Sequence, residues 1–391
     1  MKKLLAALLC LVLCLAGSAL ADDKRSEEYE YALLEDGTAK ITKYTGQTEA
    51  LIIPAELDGH AVTAIGVKAF ERESSLTSVM IPDGVTLIDD FAFSYCSGMS
   101  EVTIPGSVSV IGEGAFSDCS SLESVAIPDS VTQIGAYPFR YCKALRTIVV
   151  SPDHPVFEEI DGVLFNKTDK SLVCYPAGIE EETYSIPQGI RKIDNSAFRG
   201  CSSLTDVKIA DSVTAIGYYA FSGCLGLTSV TIPSSVTEIG DCAFYCCTGI
   251  TDIAISGSVT EIGDYVFSGC SSLAGVTIPD GVTSIGYEAF SDCYGLTEVA
   301  IPHSVTKIDD YAFYGCSGLT NITIPDSVTS IDMFAFYGCS GLMDVTIPDS
   351  VVKIGVNAFA ECPNLKLTVS RGSYAAQYCE EHGLNYTYSN S

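Results

Sequence analysis

Cysteine is the residue type whose number and spacing could do chemistry in this chain. The 391 residues include 17 cysteines. Thiols in this number could form disulfides, ligate a metal or act as nucleophiles. Most of them recur at one position of a repeated pattern, at Cys96, Cys119, Cys142, Cys201, Cys224, Cys247, Cys270, Cys293, Cys316, Cys339 and Cys362.

The repetition itself argues against disulfides. If the repeats stack as parallel strands, equivalent residues lie about 4.8 Å apart and point the same way. A disulfide instead needs Cβ atoms about 3.8 Å apart with converging directions. A buried thiol is also a small apolar filler. We therefore interpret these residues as a structural column of free cysteines. Cys242, Cys246 and Cys247 form a further group without nearby histidine, so we predict no metal and no cofactor.

Histidine is too sparse for the usual catalytic pairs. His60, His154, His303 and His382 fall in different repeats. A Cys–His or Ser–His pair needs both side chains in one neighbourhood. Phosphate-binding loops, dinucleotide motifs and calcium loops are also absent from the sequence. We therefore predict that the chain is not an enzyme.

The cysteines belong to a unit of 23 residues, which typically begins Ile-Pro-Asp-Ser-Val-Thr and continues through Ile-Gly, Ala-Phe and Cys. The run Leu227-x-x-Val230-x-Ile232 predicts a strand with one buried face, ended by a proline that cannot donate a hydrogen bond. Val236–Ile239 predicts a second, shorter strand. Gly240 follows it, and aspartate takes the same place in other units, which predicts an unusual φ there. The Ala-Phe pair then begins a tight helical or irregular turn that places phenylalanine at the centre.

Stacking such units predicts a repeat solenoid, mainly β. Each coil has two short strands in parallel ladders and cannot bury its own two faces, so neighbouring coils must do so. We expect a signal peptide at 1–21, an N-terminal cap at 22–64, about 12 coils over 65–370 and a C-terminal cap helix and tail at 371–391. A hairpin insertion at about 151–184 is expected to project from an enlarged coil.

These motifs resemble the BspA-like, or treponemal-type, leucine-rich repeat family. The resemblance covers roughly residues 50–370, and the segments Asp36–Gly46 and Ile160–Asn166, outside the regular unit, also look like family features. It implies coils of the leucine-rich repeat type on a secreted or surface-exposed bacterial protein. Family members with a known role attach to host proteins or to other cells. The resemblance therefore implies binding and brings no catalytic residues.

The N-terminus and the net charge limit the location and the partners. Lys2 and Lys3, an apolar run and Ala19-Leu20-Ala21 have the pattern of a cleaved secretory signal. We therefore expect a secreted, extracellular protein, either free or associated with the cell surface, with no membrane insertion after cleavage. The net charge of −28 disfavours nucleic acid as a partner.

Two surfaces are candidates for a protein or glycan ligand. The first is the exposed side of the first strand of each coil, where acids recur every second coil. Its candidate residues are Glu101, Asp206, Asp252, Glu298, Asn321 and Asp344. Such a row could meet a basic or hydroxylated partner. The polar residues there could equally have no ligand. Threonine and serine favour strand structure, and acidic residues prevent unwanted association of the exposed strands.

The second candidate surface consists of aromatic residues just before the Ala of the Ala-Phe turn. Its members are Tyr137, Tyr219, Tyr265 and Tyr311. Tyrosines on a solvent-facing turn make good protein or glycan contacts, but they could instead seal the turn over the core. The function predicted from the sequence is adhesion to host or neighbouring cells. A structural cell-envelope scaffold without a specific ligand is the alternative.

Overall fold

The computed structural model describes residues 24–255 and 258–389. The chain is a mostly-β parallel solenoid of about 15 turns with almost no helix, which confirms the predicted fold class. It has more turns than Ala-Phe units because strands near both ends join the same ladders. The predicted signal peptide at 1–21 lies outside the described residues.

The first strand of each coil, here called a long strand, forms one parallel ladder along the solenoid. The ladder is divided into sheets of three, two and ten strands. The long strands are β4 (Ala50–Ile52), β7 (Ser78–Met80), β9 (Glu101–Thr103), β11 (Ser124–Ile127), β13 (Thr147–Val150), β17 (Thr183–Ser185), β19 (Asp206–Lys208), β21 (Ser229–Ile232), β23 (Asp252–Ile255), β24 (Gly275–Thr277), β26 (Glu298–Ala300), β28 (Asn321–Thr323), β30 (Asp344–Thr346), β32 (Lys366–Val369) and β33 (Tyr386–Tyr388).

The second strand of each coil, here called a short strand, forms another parallel ladder. Most short strands have only two residues, because the chain turns again at the Gly or Asp that follows. They are β6 (His60–Ile65), β8 (Leu87–Ile88), β10 (Val110–Ile111), β12 (Gln133–Ile134), β16 (Ser171–Cys174), β18 (Lys192–Ile193), β20 (Ala215–Ile216), β22 (Glu238–Ile239), β25 (Ser284–Ile285), β27 (Lys307–Ile308), β29 (Ser330–Ile331) and β31 (Lys353–Ile354).

Both ends of the solenoid depart from the repeat. At the N-terminus, β1 (Lys24–Ser26), β2 (Tyr29–Leu33) and β3 (Ala39–Tyr44) form an antiparallel meander, and β3 then pairs with β6 in parallel. Strand β5 (Glu56–Leu57) is antiparallel to β6. At the C-terminus, helix α1 (Tyr374–His382) buries Ala375, Ala376, Tyr378 and Cys379. Strand β33 then pairs with β32 and extends the long-strand ladder, an element not anticipated from the sequence.

Phenylalanine rings form a stacked column through the core. Rings of successive coils lie 4.8–5.9 Å apart, as in the pairs Phe70–Phe93 and Phe116–Phe139. The column resumes after the insertion at Tyr175 and continues to Phe359. The backbones of equivalent turns in successive coils are also joined by hydrogen bonds. For example, the Phe221 N–H donates to the Ala243 carbonyl of the next coil at 2.8 Å.

The insertion divides the core. Strands β14 (Phe157–Ile160) and β15 (Val163–Asn166) are antiparallel, and β15 is also antiparallel to β16. Alternate side chains pack on opposite sides. Val163 and Phe165 join the C-terminal core cluster, whereas Leu164 and Val173 join the N-terminal one. The expectation that the hairpin projects is wrong, because it lies between the coils as a partition with both faces buried.

The glycine after each short strand has a different role from the predicted one. Gly240 does not have a positive φ, and neither does Asp89 or Asp309 in the same place. A Cβ atom on Gly240 would lie 2.6 Å from the Tyr218 nitrogen of the preceding coil. At Gly240 the close approach of the preceding coil leaves no room for a Cβ atom, although other coils accommodate the Cβ of an aspartate at this place, and the left-handed residue comes two positions later.

We expect Gly240→Ala to destabilise the chain by about 1–3 kcal/mol, because the new methyl group overlaps backbone of the adjacent coil. Gly275→Ala is the matched control. Its Cβ would meet nothing within 4 Å, so a change within about 0.5 kcal/mol is expected. Urea unfolding followed by circular dichroism measures both. Equal effects of the two substitutions would contradict the close-approach explanation.

Candidate functional site

The repeated cysteines form a column beside the phenylalanine rings. Each thiol lies next to the backbone of the preceding coil, where the Cys119 Sγ donates to the Phe93 carbonyl at 3.1 Å. The same contact recurs with a sequence separation of 26 for Cys96, Cys142, Cys201, Cys224, Cys247, Cys270, Cys293, Cys316, Cys339 and Cys362.

All cysteines of the described residues are unpaired. Burial raises the pKa of the Cys174 thiol to about 12 and that of Cys362 to about 11. A thiol held neutral in this way is a poor nucleophile and a poor metal ligand. The column therefore has the properties of core packing with one weak hydrogen bond per coil.

The group Cys242, Cys246 and Cys247 does not converge on one point. Cys247 belongs to the buried column, and Cys246 is partly exposed. Within the described ranges, the grouping with metal-like spacing is Asp309, Asp310 and Asp332. Two lysines already form ion pairs with it, because Lys307 and Lys353 lie 3.2 and 2.5 Å from the Asp332 carboxylate.

His154 has a structural role. Its Nδ1 accepts hydrogen bonds from the Val156 and Phe157 N–H groups, both at 3.1 Å. Its Nε2 therefore carries the proton and donates to the Pro128 carbonyl at 3.0 Å. Both ring nitrogens are used to fix the turn that leads into the partition.

The structure brings the predicted strand acids into one register. Asp206, Asp252, Glu298 and Asp344, here called the acidic row, each begin a long strand and are exposed. Ser229, Gly275 and Asn321 alternate with them in the same register. Members of the row are thus about 10 Å apart along the ladder. Glu101 occupies the same register position on β9, beyond the partition.

Tyr265 and Tyr311 lie in a continuous aromatic strip on the turn side of the solenoid. Tyr287 lies between them, with ring centroids 5.1 and 5.7 Å from theirs. Tyr311 also stacks on Phe334 at 4.9 Å. The strip is defined as Tyr245, Tyr265, Tyr287, Tyr311, Tyr314, Phe334 and Tyr337, all of them partly exposed or exposed.

The sequence prediction missed Tyr287 because it considered only the residue just before the Ala of each Ala-Phe pair, and Tyr287 lies one residue earlier. Its coil carries Glu288 at that position. The neighbouring position on the same turn presents its ring to the same surface. Recording aromatic residues at both turn positions, instead of at one, would have identified it.

Tyr137 and Tyr219 lie elsewhere, on either side of the insertion. The Arg199 guanidinium lies 4.4 Å from the ring centre of Tyr219 and 5.0 Å from that of Tyr141. The Arg140 guanidinium lies 5.5 Å from that of Tyr137. Burial, together with a hydrogen bond to Glu113, raises the pKa of Tyr137 to about 12. These two tyrosines are engaged by neighbouring side chains, so the predicted aromatic set divides into two surfaces.

The backbone beneath the strip is in an uncommon conformation for bulky residues. Tyr265, Tyr311 and Phe334 have φ values of 58°, 59° and 55°. Side chains with a Cβ seldom adopt the left-handed region, which favours glycine and asparagine. Other coils place Gly114 and Asn357 at the same position. The fold therefore accepts small residues there, and the rings are not required by the backbone.

Alkaline pH should reveal the buried thiols. Burial raises their folded-state pKa above the ordinary value of 9.0, as at Cys247, Cys270 and Cys293. Each buried thiol that stays protonated in the folded state therefore contributes fully to the free energy of unfolding below about pH 9. Above that pH the contribution is lost by about 1.4 kcal/mol per pH unit for each thiol. We expect the urea midpoint to be level below about pH 8 and to fall above about pH 9.

The variant Cys247→Ala/Cys270→Ala/Cys293→Ala is the comparison. Its midpoint should fall less steeply over the same alkaline range, because three buried titrating groups are gone. An identical slope in the two proteins would show that the thiols do not titrate on unfolding as described.

No helix within residues 24–255 and 258–389 combines the length and the apolar character needed to cross a membrane.

No similar protein was found among curated proteins. Among solved structures, a leucine-rich repeat protein from Eubacterium ventriosum is 23% identical, covering 86% of this chain and 93% of that chain with a TM-score of 0.64. A leucine rich cell surface protein from Faecalibacterium prausnitzii is 29% identical, covering 78% and 95%, with a TM-score of 0.48.

The family comparison agrees with the geometry of the coils. The model of the BspA type leucine rich repeat region matches in six copies, over residues 63–181, 173–297 and 283–373. These matches include the column of cysteines, the partition, the acidic row and the aromatic strip. The chain therefore belongs to the BspA type leucine-rich repeat family.

Proposed function

We propose that this chain is a non-enzymatic binding protein that holds a protein or glycan ligand on the aromatic strip. The observation that carries the proposal is the continuous contact among seven partly exposed rings on one side of the solenoid. Aromatic side chains give large contact area at low entropic cost and are enriched at interfaces. Tyrosine hydroxyls add hydrogen bonds to either class of ligand.

The backbone does not require the rings of the strip. Tyr265 and Tyr311 hold left-handed backbone at a position where other coils place glycine, asparagine, serine or glutamate in the same conformation. Met333, beside the strip, is 43% exposed.

The proposed role is adhesion, by a protein that acts outside the cell or at its surface. The secretory pattern of the first residues supports this location, as does the resemblance to a family of surface proteins that attach to hosts. The net charge of −28 supports protein or neutral glycan over nucleic acid and anionic membrane as the partner.

The test is saturable binding of residues 22–391 to a panel of extracellular-matrix proteins, mucins and glycans. We expect Tyr265→Ala/Tyr311→Ala/Tyr337→Ala to weaken binding by at least about tenfold, because central aromatic contacts dominate interface energies. The matched comparison is Asp206→Lys/Asp252→Lys/Glu298→Lys/Asp344→Lys on the acidic row, which should keep the affinity. Circular dichroism and thermal midpoints establish that each variant is folded.

Loss of binding in the acidic-row variant alone would move the site to the long-strand face. Absence of binding to every member of the panel would count against the adhesion proposal.

A further inference from the structure

The long-strand ladder has an open edge in the middle of the molecule. Among the described strands, β13 pairs only with β11, and β17 pairs only with β19. The other sheet boundary on this face is bridged next to the strands, since the Glu123 N–H donates to the Ser100 carbonyl at 3.3 Å. At the partition the bond between the two coils lies before β17, where the Gly178 N–H donates to the Leu145 carbonyl at 2.8 Å. From β19 to β32 every long strand has a partner on both sides. The break at the partition therefore exposes the edge of β17.

The direction in which the backbone groups of β17 point follows from the hydrogen bonds made by the residues on either side of it. The Ile186 N–H donates to the Lys208 carbonyl of β19, and the Glu182 carbonyl accepts from the Thr205 N–H. Successive peptide groups of a strand point to opposite sides. The Ser185 N–H and the Thr183 carbonyl consequently point away from β19. An edge of this kind can accept another strand.

A cleft lies against this edge and is here called the β13–β17 cleft. Its volume is about 710 Å³, and its lining includes all three residues of β17, Arg146 and Asp161 at the tip of the β14–β15 hairpin. Three paired residues extend about 10 Å. The cleft therefore offers room beside the edge for a short extended segment.

Two tyrosines that line the cleft have unused hydroxyl groups. Tyr175 and Tyr184 are in edge-to-face contact at 5.0 Å. The phenol oxygens of both are buried and have no hydrogen-bond partner. Tyr175 also replaces phenylalanine in the ring column, as its separation of 26 from Cys201 shows. Phenylalanine would fill that place equally well, so the hydroxyl is not needed for packing.

The charge around the cleft has one dominant sign. Asp161, Glu181 and Glu182 are exposed at or beside it. Arg146 is the cation in the lining, and it already forms an ion pair with Glu180 at 2.6 Å. An incoming segment would meet a concentration of carboxylates, which favours lysine and arginine.

We propose that the β13–β17 cleft binds an extended, basic segment of a partner protein as an added strand on the edge of β17. The segment pairs with the Ser185 N–H and the Thr183 carbonyl, and its cationic side chains lie near Asp161 and Glu181. This site is separate from the aromatic strip. The chain would then have two points of attachment, one based on rings and one based on backbone pairing.

The probe is a fluorescent, end-blocked octapeptide of alternating lysine and valine, titrated against residues 22–391 at about 0.15 M salt. We expect saturable binding by fluorescence anisotropy and slower hydrogen exchange at residues 183–185. Asp161→Asn/Glu181→Lys should weaken binding at least about tenfold. Asparagine suits position 161 because its φ is 53°. The control Asp252→Asn/Glu298→Lys makes the same charge change on the acidic row and should leave binding unchanged.

A second peptide with proline at its centre tests backbone pairing, since proline lacks the N–H that an added strand requires. It should bind at least about tenfold more weakly. Equal binding of both peptides, equal loss in the two double variants, or no saturable binding would overturn the proposal. Protection of residues 183–185 by a neutral oligosaccharide but not by the peptide would overturn it in favour of a glycan. The Tyr265→Ala/Tyr311→Ala/Tyr337→Ala variant should bind the peptide normally, so this site and the adhesive strip can fail independently.

Discussion

The hydrogen bonds between equivalent positions of neighbouring coils are the interaction on which the rest of the structure depends. They run through the strands and also through the turns, where the Phe221 N–H reaches the Ala243 carbonyl. Side chains take part as well, since the Thr228 hydroxyl donates to the Thr205 carbonyl at 3.0 Å. Buried backbone groups must be paired. The backbone N–H and carbonyl groups of each coil find their partners only in the neighbouring coils, so every repeat must keep the same length. The phenylalanine rings and the thiols then lie in register from coil to coil.

A regular interior leaves function to the irregular parts of the surface. The acidic row, the aromatic strip and the open edge of β17 are all departures that the core does not require. The acidic row alternates with small or neutral residues, whereas the strip concentrates rings in a few successive coils. The open edge exists only because the partition displaces one long strand from its neighbour. Different partners could therefore be held along one scaffold without any change inside it.

The solenoid, the long strands and the acidic row could be predicted because a fixed spacing of 23 residues determines which residues are neighbours. Features that depend on distances between coils could not. The sequence predicts an unusual φ at Gly240, yet the residue there is limited by the close approach of the Tyr218 backbone, which leaves no room for a Cβ atom. The insertion was expected to project, because alternating apolar residues do not reveal whether one face or two are buried. Tyr287 and the open edge of β17 became evident only once neighbouring coils were in place.

The partition also determines the order in which the chain can fold. Leu164, Val173 and Cys174 complete the N-terminal cluster, and among the residues that the structure describes this core contains none beyond the end of β16. A chain synthesised or exported from its N-terminus could close the first core before any later coil has emerged. The opposite face of the same hairpin, with Phe165 and Leu172, then offers a finished apolar surface on which the second core can grow coil by coil. The insertion is thus an end cap for one half and a template for the other.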